Sequence, residues 1–193
     1  LTIFLLNLRL GLIEKKNSQC WNSEYYFRES LTWSRISSVN FGIRYSPTGF
    51  VFDTAGTCIF ADSHTLKYLL GFLSTKVVSS LLQMINPTLT FQTGDISKIP
   101  IRVECTEQVI GLVEKTISYS KHDWDSFENS WNFKRNPMTM DSHTVVFGEE
   151  YKDKLFTHLD DHYRVWKKEC EDRFISLQMN EEELNRIFID IYG

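Results

Sequence analysis

A chain of 193 residues suits one domain, or one domain with a helical extension. Its 42% hydrophobic content supports an ordinary core, and 14% aromatic residues favour a large one. A net charge of −4 excludes a globally basic nucleic-acid-binding protein, so any such surface has to be local. The charge is unevenly spread. Residues 1–100 carry 9 Lys/Arg against 6 Asp/Glu, a net of +3, and residues 101–193 carry 12 against 19, a net of −7. A mildly basic first half beside an acidic second half fits a binding surface on the first; ordinary scatter gives the same split.

The four cysteines, Cys20, Cys58, Cys105 and Cys170, are far apart and match no zinc spacing. They read as reduced thiols of a cytoplasmic protein. The apolar opening run, residues 1–13, is too short for a membrane span and is broken by Asn7 and Arg9. It lacks the basic start and small-residue cleavage site of a signal peptide. It reads as a strand or amphipathic segment, and no membrane partner is expected. The sequence opens on Leu1 rather than Met and stops at Gly193 without a tail, so a fragment is expected.

In chain order, residues 14–24 are a polar loop, and Trp21, Tyr25, Tyr26 and Phe27 form an aromatic cluster at the edge of a core. From Leu31 the pattern turns to strands, with Trp33, Arg35 and Ser37 alternating with Ser34, Ile36 and Ser38. Residues 41–45 follow, then a turn at Ser46-Pro47-Thr48-Gly49, and short strands at 50–52 and 58–60. Asp62 or Ser63 caps a helix carrying Leu66, Leu69, Leu70 and Leu73. Ser74-Thr75 breaks it. Val77, Val78, Leu81, Leu82 and Ile85 form a second apolar face that ends at Asn86-Pro87. Residues 89–92 read as a strand, Gly94-Asp95-Ile96 as a turn, and 99–101 as the approach to an edge strand. Thr106 caps a helix with Val109, Ile110, Leu112, Val113 and Ile117 on one face. The aromatic and acidic segment 123–133 and a loop over 134–150 follow. A long helix from about Tyr151 to Leu177 carries the stripe Leu155, Leu159, Tyr163, Trp166, Cys170, Phe174 and Leu177, and a further helix begins at Glu181. A stripe that narrow predicts a coiled-coil-like hairpin. The fold class is therefore α/β (α+β): a globule with short, mostly antiparallel strands over 24–103, preceded by an N-terminal segment 1–23 and followed by a long-helix region 104–193.

Catalytic patterns are sparse. His158 and His162 sit one helical turn apart but without the H-E-x-x-H pattern, and a solvated helix flank is the ordinary reading. Asp123, Asp125 and Glu128 lie among Trp124, Phe127 and Trp131, which suits a docking segment better than an acid pair. Gly-rich phosphate loops and Gly-x-Ser-x-Gly are absent. Asn86-Pro87-Thr88-Leu89 lacks the second proline and the tyrosine of an Asn-Pro-Pro-Tyr loop. For DNA contact the strand-borne candidates are Trp33, Ser34, Arg35, Ser37, Ser38, Arg44, Tyr45, Thr88, Thr90 and Gln92. Arg bonds guanine and Gln bonds adenine in two places, and Ser and Thr serve phosphates or base edges.

Several blocks in order resemble one family. The run Tyr25-Tyr26-Phe27-Arg28-Glu29-Ser30-Leu31-Thr32-Trp33-Ser34-Arg35-Ile36-Ser37 is similar to the target-recognition region of large adenine-specific DNA methyltransferases. These are the PglX-type enzymes of BREX phage-defence systems and their type IIG restriction-modification relatives. The blocks at 44–53, 69–76, 87–96, 123–131 and 180–193 extend the resemblance over roughly residues 24–193, while the first 19 or so residues do not fit it. The resemblance implies a DNA sequence-recognition globule with a helical spacer. It implies double-stranded DNA, the methyltransferase domain of the intact protein and further defence-system subunits as partners. It places S-adenosylmethionine and the catalytic Asn-Pro-Pro-Tyr loop in a domain outside this chain, which would be inactive alone. The alternative reading is a protein-interaction or scaffold fragment with no DNA binding of its own, the acidic and aromatic second half docking a partner.

Overall fold

The computed structural model describes residues 22–38, 40–53, 55–139 and 158–193. Two compact units divide between Ile101 and Arg102. That boundary coincides with the change of charge sign along the chain.

The first unit is built on a three-stranded antiparallel sheet in the order β2-β1-β3. Its strands are β1 (Ser30–Ser34), β2 (Ile43–Ser46) and β3 (Gly56–Ile59). Leu31 lies between Tyr45 and Ile59, and Thr32 between Arg44 and Cys58. Alternation sends Leu31 and Trp33, 0% and 1% exposed, to one face and Thr32 and Ser34 to the other. Helices cover the first face. In α1 (Ser63–Leu73) Leu66, Tyr68, Phe72 and Leu73 are buried. The Asp62 carboxylate caps α1, accepting from the Thr65 N–H at 3.0 Å and the Thr65 hydroxyl at 2.6 Å. Those bonds, the hydroxyl's first, hold its pKa below the ordinary carboxylate value.

Thr75 joins α1 to α2 (Lys76–Ile85), and the two helices meet at a 76° bend. Its hydroxyl, in a residue 1% exposed, donates to the Phe72 carbonyl at 2.7 Å while accepting from the Val78 N–H. Among the described residues no single helix is long and apolar enough to cross a membrane. Asn86 ends α2, as the proline after it requires. A single-turn helix, α3 (Thr93–Ile96), follows.

Three expected strands are absent. Residues 50–53 and 99–104 have no strand pairing, and over 89–92 the pairing is one isolated bridge between Ile36 and Thr90. β-propensity is realised only through cross-strand packing, which local sequence does not supply, and neither outer edge of the sheet recruits these residues. Instead, Phe27 adopts a left-handed backbone (φ 66°) held by its N–H to the Phe50 carbonyl and by the Gly49 N–H to its own carbonyl. The rings of Tyr25, Tyr26, Phe52 and Phe60 close this corner, with centroids 4.9–5.4 Å apart.

The second unit pairs α4 (Thr106–Asp125) with α5 (Leu159–Tyr192). Their direction is antiparallel, because Gln108 bonds Glu183 and Asp123 bonds Arg173. Val109, Ile110 and Val113 of α4 lie on the stretch opposite Leu184, Ile187 and Phe188 of α5, all buried. Arg102 closes the base: its N–H donates to the Tyr192 hydroxyl and Nη1 to the Ile191 carbonyl, both at 3.0 Å. Its guanidinium also lies over the Tyr192 ring at 5.8 Å.

Four expectations for this unit are corrected. Thr106 is the first residue of α4 rather than its cap; the cap is Cys105, in a left-handed conformation with no side-chain bond. α4 runs through to Asp125, past the last of the apolar positions that defined it in sequence. The two C-terminal helices are one 34-residue helix, since neither proline nor glycine interrupts 159–192 and three acidic residues in mid-helix do not stop it. The proposed stripe is turned outward at Leu159 (67% exposed), Tyr163 and Phe174 (68%), and the buried positions are Val165, Arg173, Leu184, Ile187, Phe188 and Ile191. Leu155 and the expected start at Tyr151 lie outside the described residues, as do Cys20, Trp21 and the rest of segment 1–21.

Arg173 is the one charged side chain among the buried described residues. It is 3% exposed, reaches the half-exposed Asp123 carboxylate at 3.4 Å, and leaves its Nε without a partner. Nη2 also donates to Cys170 Sγ at 3.2 Å, but a buried charge held by one long ion pair and one weak sulfur acceptor does not recover its desolvation cost. Because Asp123 is half exposed and can return to solvent, Arg173→Met is expected to leave stability unchanged or raise it slightly. Asp123→Asn is expected to lower it. Urea midpoints of the two variants check this, and a large loss in Arg173→Met overturns it.

Tyr45, on the helix-covered face of β2, donates its hydroxyl to Glu29 Oε1 at 2.7 Å, and Ser63 donates to the same oxygen at 3.1 Å. Burial first, then the Glu29 hydrogen bond and charge, push the phenol pKa from 10.0 up to about 12. A raised folded-state pKa means that the contribution is complete below pH 10.0 and lost as pH climbs towards about 12. Stability by urea unfolding is expected to fall across that window, and Tyr45→Phe to flatten the fall. An identical slope in both proteins would contradict the assignment.

Candidate nucleic-acid interface

The ten strand-borne candidates fall into separate places. Trp33 leaves the set: at 1% exposed it belongs to the core, and its indole Nε1 donates to the Phe91 carbonyl at 3.0 Å. Its alternation was read correctly, but the face it occupies is the covered one. Tyr45 lies on that same face with its hydroxyl engaged by Glu29.

Arg44 and Ser34 do come together. Both project from the opposite face of the sheet, and Arg44 Nη2 donates to Ser34 Oγ at 3.0 Å. Arg35 is exposed, with its side chain making no hydrogen bond or ion pair among the described residues. Its backbone is fixed at both ends: its N–H donates to the Ala55 carbonyl, and its carbonyl accepts from the Phe91 N–H at 2.8 Å. The Ser37 N–H donates to the Leu89 carbonyl at 3.0 Å. Segment 35–37 therefore runs beside 89–91, and Arg35, Ser37, Thr88 and Thr90 are brought into one region. Ser38 is exposed near them in sequence, and Gln92 is exposed at the start of α3.

Asn86 organises the loop that carries Thr88 and Thr90. Its Nδ2 donates to the Asp95 carboxylate at 2.7 Å and to the Thr90 carbonyl at 3.2 Å. Its Oδ1 accepts from the Thr88 N–H and, at 2.7 Å, the Thr88 hydroxyl. This is an Asx turn, the local bonding that asparagine before proline favours. The side chain is spent on loop structure, so Asn86-Pro87-Thr88-Leu89 here is a turn.

Beside that loop is a cleft of about 460 Å³. The Asn40-Phe41 loop forms one side, Ser79, Leu82 and Gln83 of α2 a second, and residues 86–91 the third. Its lining contains no charged residue. The Phe41 ring stands 5.3 Å from that of Phe91 and 6.1 Å from that of Trp33, so its aromatic side is tied to the core. Sequence reasoning missed Asn40, Phe41 and Gln83. The asparagine-proline turn signal marks Asn86, but nothing in the pattern of α2 distinguishes Gln83 from a solvated polar position.

Elsewhere, His158 sits at the exposed start of α5, and the described residues contain no group of three His, Cys, Asp or Glu placed to hold a metal. In segment 123–133 the Ser130 hydroxyl donates to Asp125, and Trp124, Phe127 and Trp131 are 56%, 48% and 86% exposed.

No family model matches the chain. It is 42% identical to the adenine-specific methyltransferase PglX of Lacticaseibacillus casei (strain Zhang), over 97% of this chain and 15% of that protein. It is 31% identical to the adenine-specific methyltransferase BrxX of Escherichia coli O9:H4 (strain HS), over 76% of this chain and 13% of that protein. At 97% coverage the first alignment reaches well into residues 1–23, which the sequence resemblance had left out. The chain spans about one seventh of the length of these relatives. It is homologous to a region of the PglX and BrxX adenine-specific methyltransferases.

Proposed function

We propose that the chain is the DNA-recognition module of a longer S-adenosylmethionine-dependent, adenine-specific DNA methyltransferase serving BREX phage defence or restriction-modification. Methyl transfer belongs to a part of that protein outside these 193 residues. The observation that carries the reading is the near-complete alignment of the chain with a small part of an adenine-specific methyltransferase. The local chemistry agrees. In the sheet-bearing unit Arg35 and Arg44 are exposed, and Ser34, Ser37, Ser38, Thr88, Thr90 and Gln92 supply neutral hydrogen-bonding groups. In this reading Arg35 and Arg44 neutralise phosphates or read guanine, and the hydroxyls fix the register on the duplex.

S-Adenosylmethionine does not fit the cleft, whose lining offers no carboxylate to accept ribose hydroxyls. No step of methyl transfer is assigned to these residues. The intact protein's methyltransferase domain and defence-system partners are the assemblies in which the module would act, with 104–193 as its helical spacer.

One observation favours a second reading, a protein-docking fragment that does not touch DNA. Trp124, Phe127 and Trp131 are exposed on the acidic unit, as an aromatic docking surface requires. A titration of labelled duplex DNA separates the two. The recognition module is expected to bind at low salt and weaken steeply as salt rises, with a log–log slope of roughly 0.9 per phosphate neutralised. Arg35→Ala and Arg44→Ala are each expected to reduce that slope by about 1. Absence of binding at low salt would favour the docking fragment, unchanged binding in both variants would remove these arginines from the interface, and methylation by the isolated chain would sink the division of labour.

A further inference from the structure

We propose that Ile36 is a sequence-reading residue of the DNA interface, its side chain meeting the 5-methyl group of a thymine on the major-groove edge of an intact duplex. This goes one step deeper than DNA recognition and rests on that reading for the presence of the duplex.

The position of Ile36 follows from the pairing of two segments. Ile36 and Thr90 form an isolated antiparallel bridge, and residues paired in this way stand on the same face. Alternation puts Leu89 and Phe91, which line the cleft, on the other face. It also makes Ile36 the successor of Thr32 and Ser34 on the uncovered side of the sheet, the side that carries Arg44. There Ile36 is 69% exposed. A lone exposed isoleucine is ordinary on a protein surface. This one is held on both sides: the Arg35 N–H donates to the Ala55 carbonyl, the Phe91 N–H to the Arg35 carbonyl, and the Ser37 N–H to the Leu89 carbonyl. A β-branched side chain on a backbone so fixed has few rotamers to lose on contact. Thr90 adds no free donor beside it. The Thr88 hydroxyl donates to Asn86 Oδ1, so in the 2.9 Å contact between the two threonines Thr90 is the donor, and its one hydroxyl hydrogen is spent inside the loop.

The chemistry of the duplex narrows what this side chain can meet. Phosphates present charge, and base edges present donors and acceptors; the apolar exception is the thymine methyl in the major groove. Set against any other base edge, the isoleucine would leave a polar group facing hydrocarbon without a partner. The neighbours fit the same approach. Arg35 is exposed, with a side chain making no hydrogen bond or ion pair among the described residues, and is placed to neutralise a phosphate. Arg44, tethered to Ser34 at 3.0 Å, supplies a second cation on the face that Ile36 shares. Phosphate contacts set the register without carrying sequence, whereas a contact to a methyl group that one base alone possesses does carry it.

The test removes the methyl group and nothing else. The tightest-binding duplex is selected from a random pool and remade with deoxyuridine in place of thymidine, which keeps every phosphate and every hydrogen-bonding edge. The chain is expected to bind the deoxyuridine form about fourfold more weakly for each methyl contacted, with an unchanged salt slope. Ile36→Ser is expected to bind both forms alike, at the affinity of the unaltered chain for the deoxyuridine form, and Ile36→Val to keep the preference. So exposed a residue is replaced without touching the core. Equal binding of the two forms by the unaltered chain, or a preference that survives Ile36→Ser, overturns the proposal and leaves duplex recognition standing. Weaker binding by Ile36→Ser with no thymidine preference in the unaltered chain also overturns it, in favour of an apolar wedge between base pairs. Absence of duplex binding at low salt overturns the recognition reading, and this proposal with it.

Discussion

The Trp33 indole joins the sheet to everything else in the first unit. It is anchored in the central strand, packed beneath α1, and its one polar atom reaches across to the Phe91 carbonyl at 3.0 Å. Tryptophan is suited to that position because it fills a large apolar volume and still satisfies a backbone acceptor that the irregular 86–92 segment cannot pair by itself. Residues 89–91 are then held beside 35–37 without being a strand, and the Asx turn at Asn86 sets the rest of that loop. Arg35, whose carbonyl accepts from the Phe91 N–H, thus borders a segment held by a side chain that is almost fully buried.

That arrangement explains which parts of the fold were legible in the sequence. The helices announced themselves through caps and breakers: Asp62, Thr75 and Asn86-Pro87 act locally, within one turn, and are found where the pattern puts them. β1 and β3 were legible from alternation and β-branched or aromatic content. Residues 50–52 and 89–92 carry the same local signal but are not recruited to either outer edge of the sheet, and pairing is a tertiary property. The outward turn of Leu159, Tyr163 and Phe174 failed for a related reason. Period alone fixes which residues share a face; the partner decides which face is buried, and here the partner selects Val165, Arg173 and the 184–191 cluster.

The site candidates came from residue type, and the fold distributes them over separate places. Arg44 and Ser34 lie on one face of adjacent strands, diagonal to each other, and are hydrogen-bonded. Trp33 was misplaced by one face. The cleft was invisible, since Asn40, Gln83 and Phe91 are 8 to 51 residues apart in sequence and converge only through the loop that Trp33 and Asn86 hold in place.

The α4–α5 pair is secured very differently at its two ends. At the base, Arg102 makes three contacts with the last turn of α5, and the buried cluster from Leu184 to Ile191 faces Val109 to Val113. Further along the pair, the buried Arg173 meets the half-exposed Asp123 at 3.4 Å and keeps an unpaired Nε, with Val165 buried beyond it. Local opening follows the weaker contacts first. The contact at Asp123 and Arg173 is thus the weaker of the two, and its amides are expected to exchange faster than those of the apolar stretch around Leu184 and Ile187.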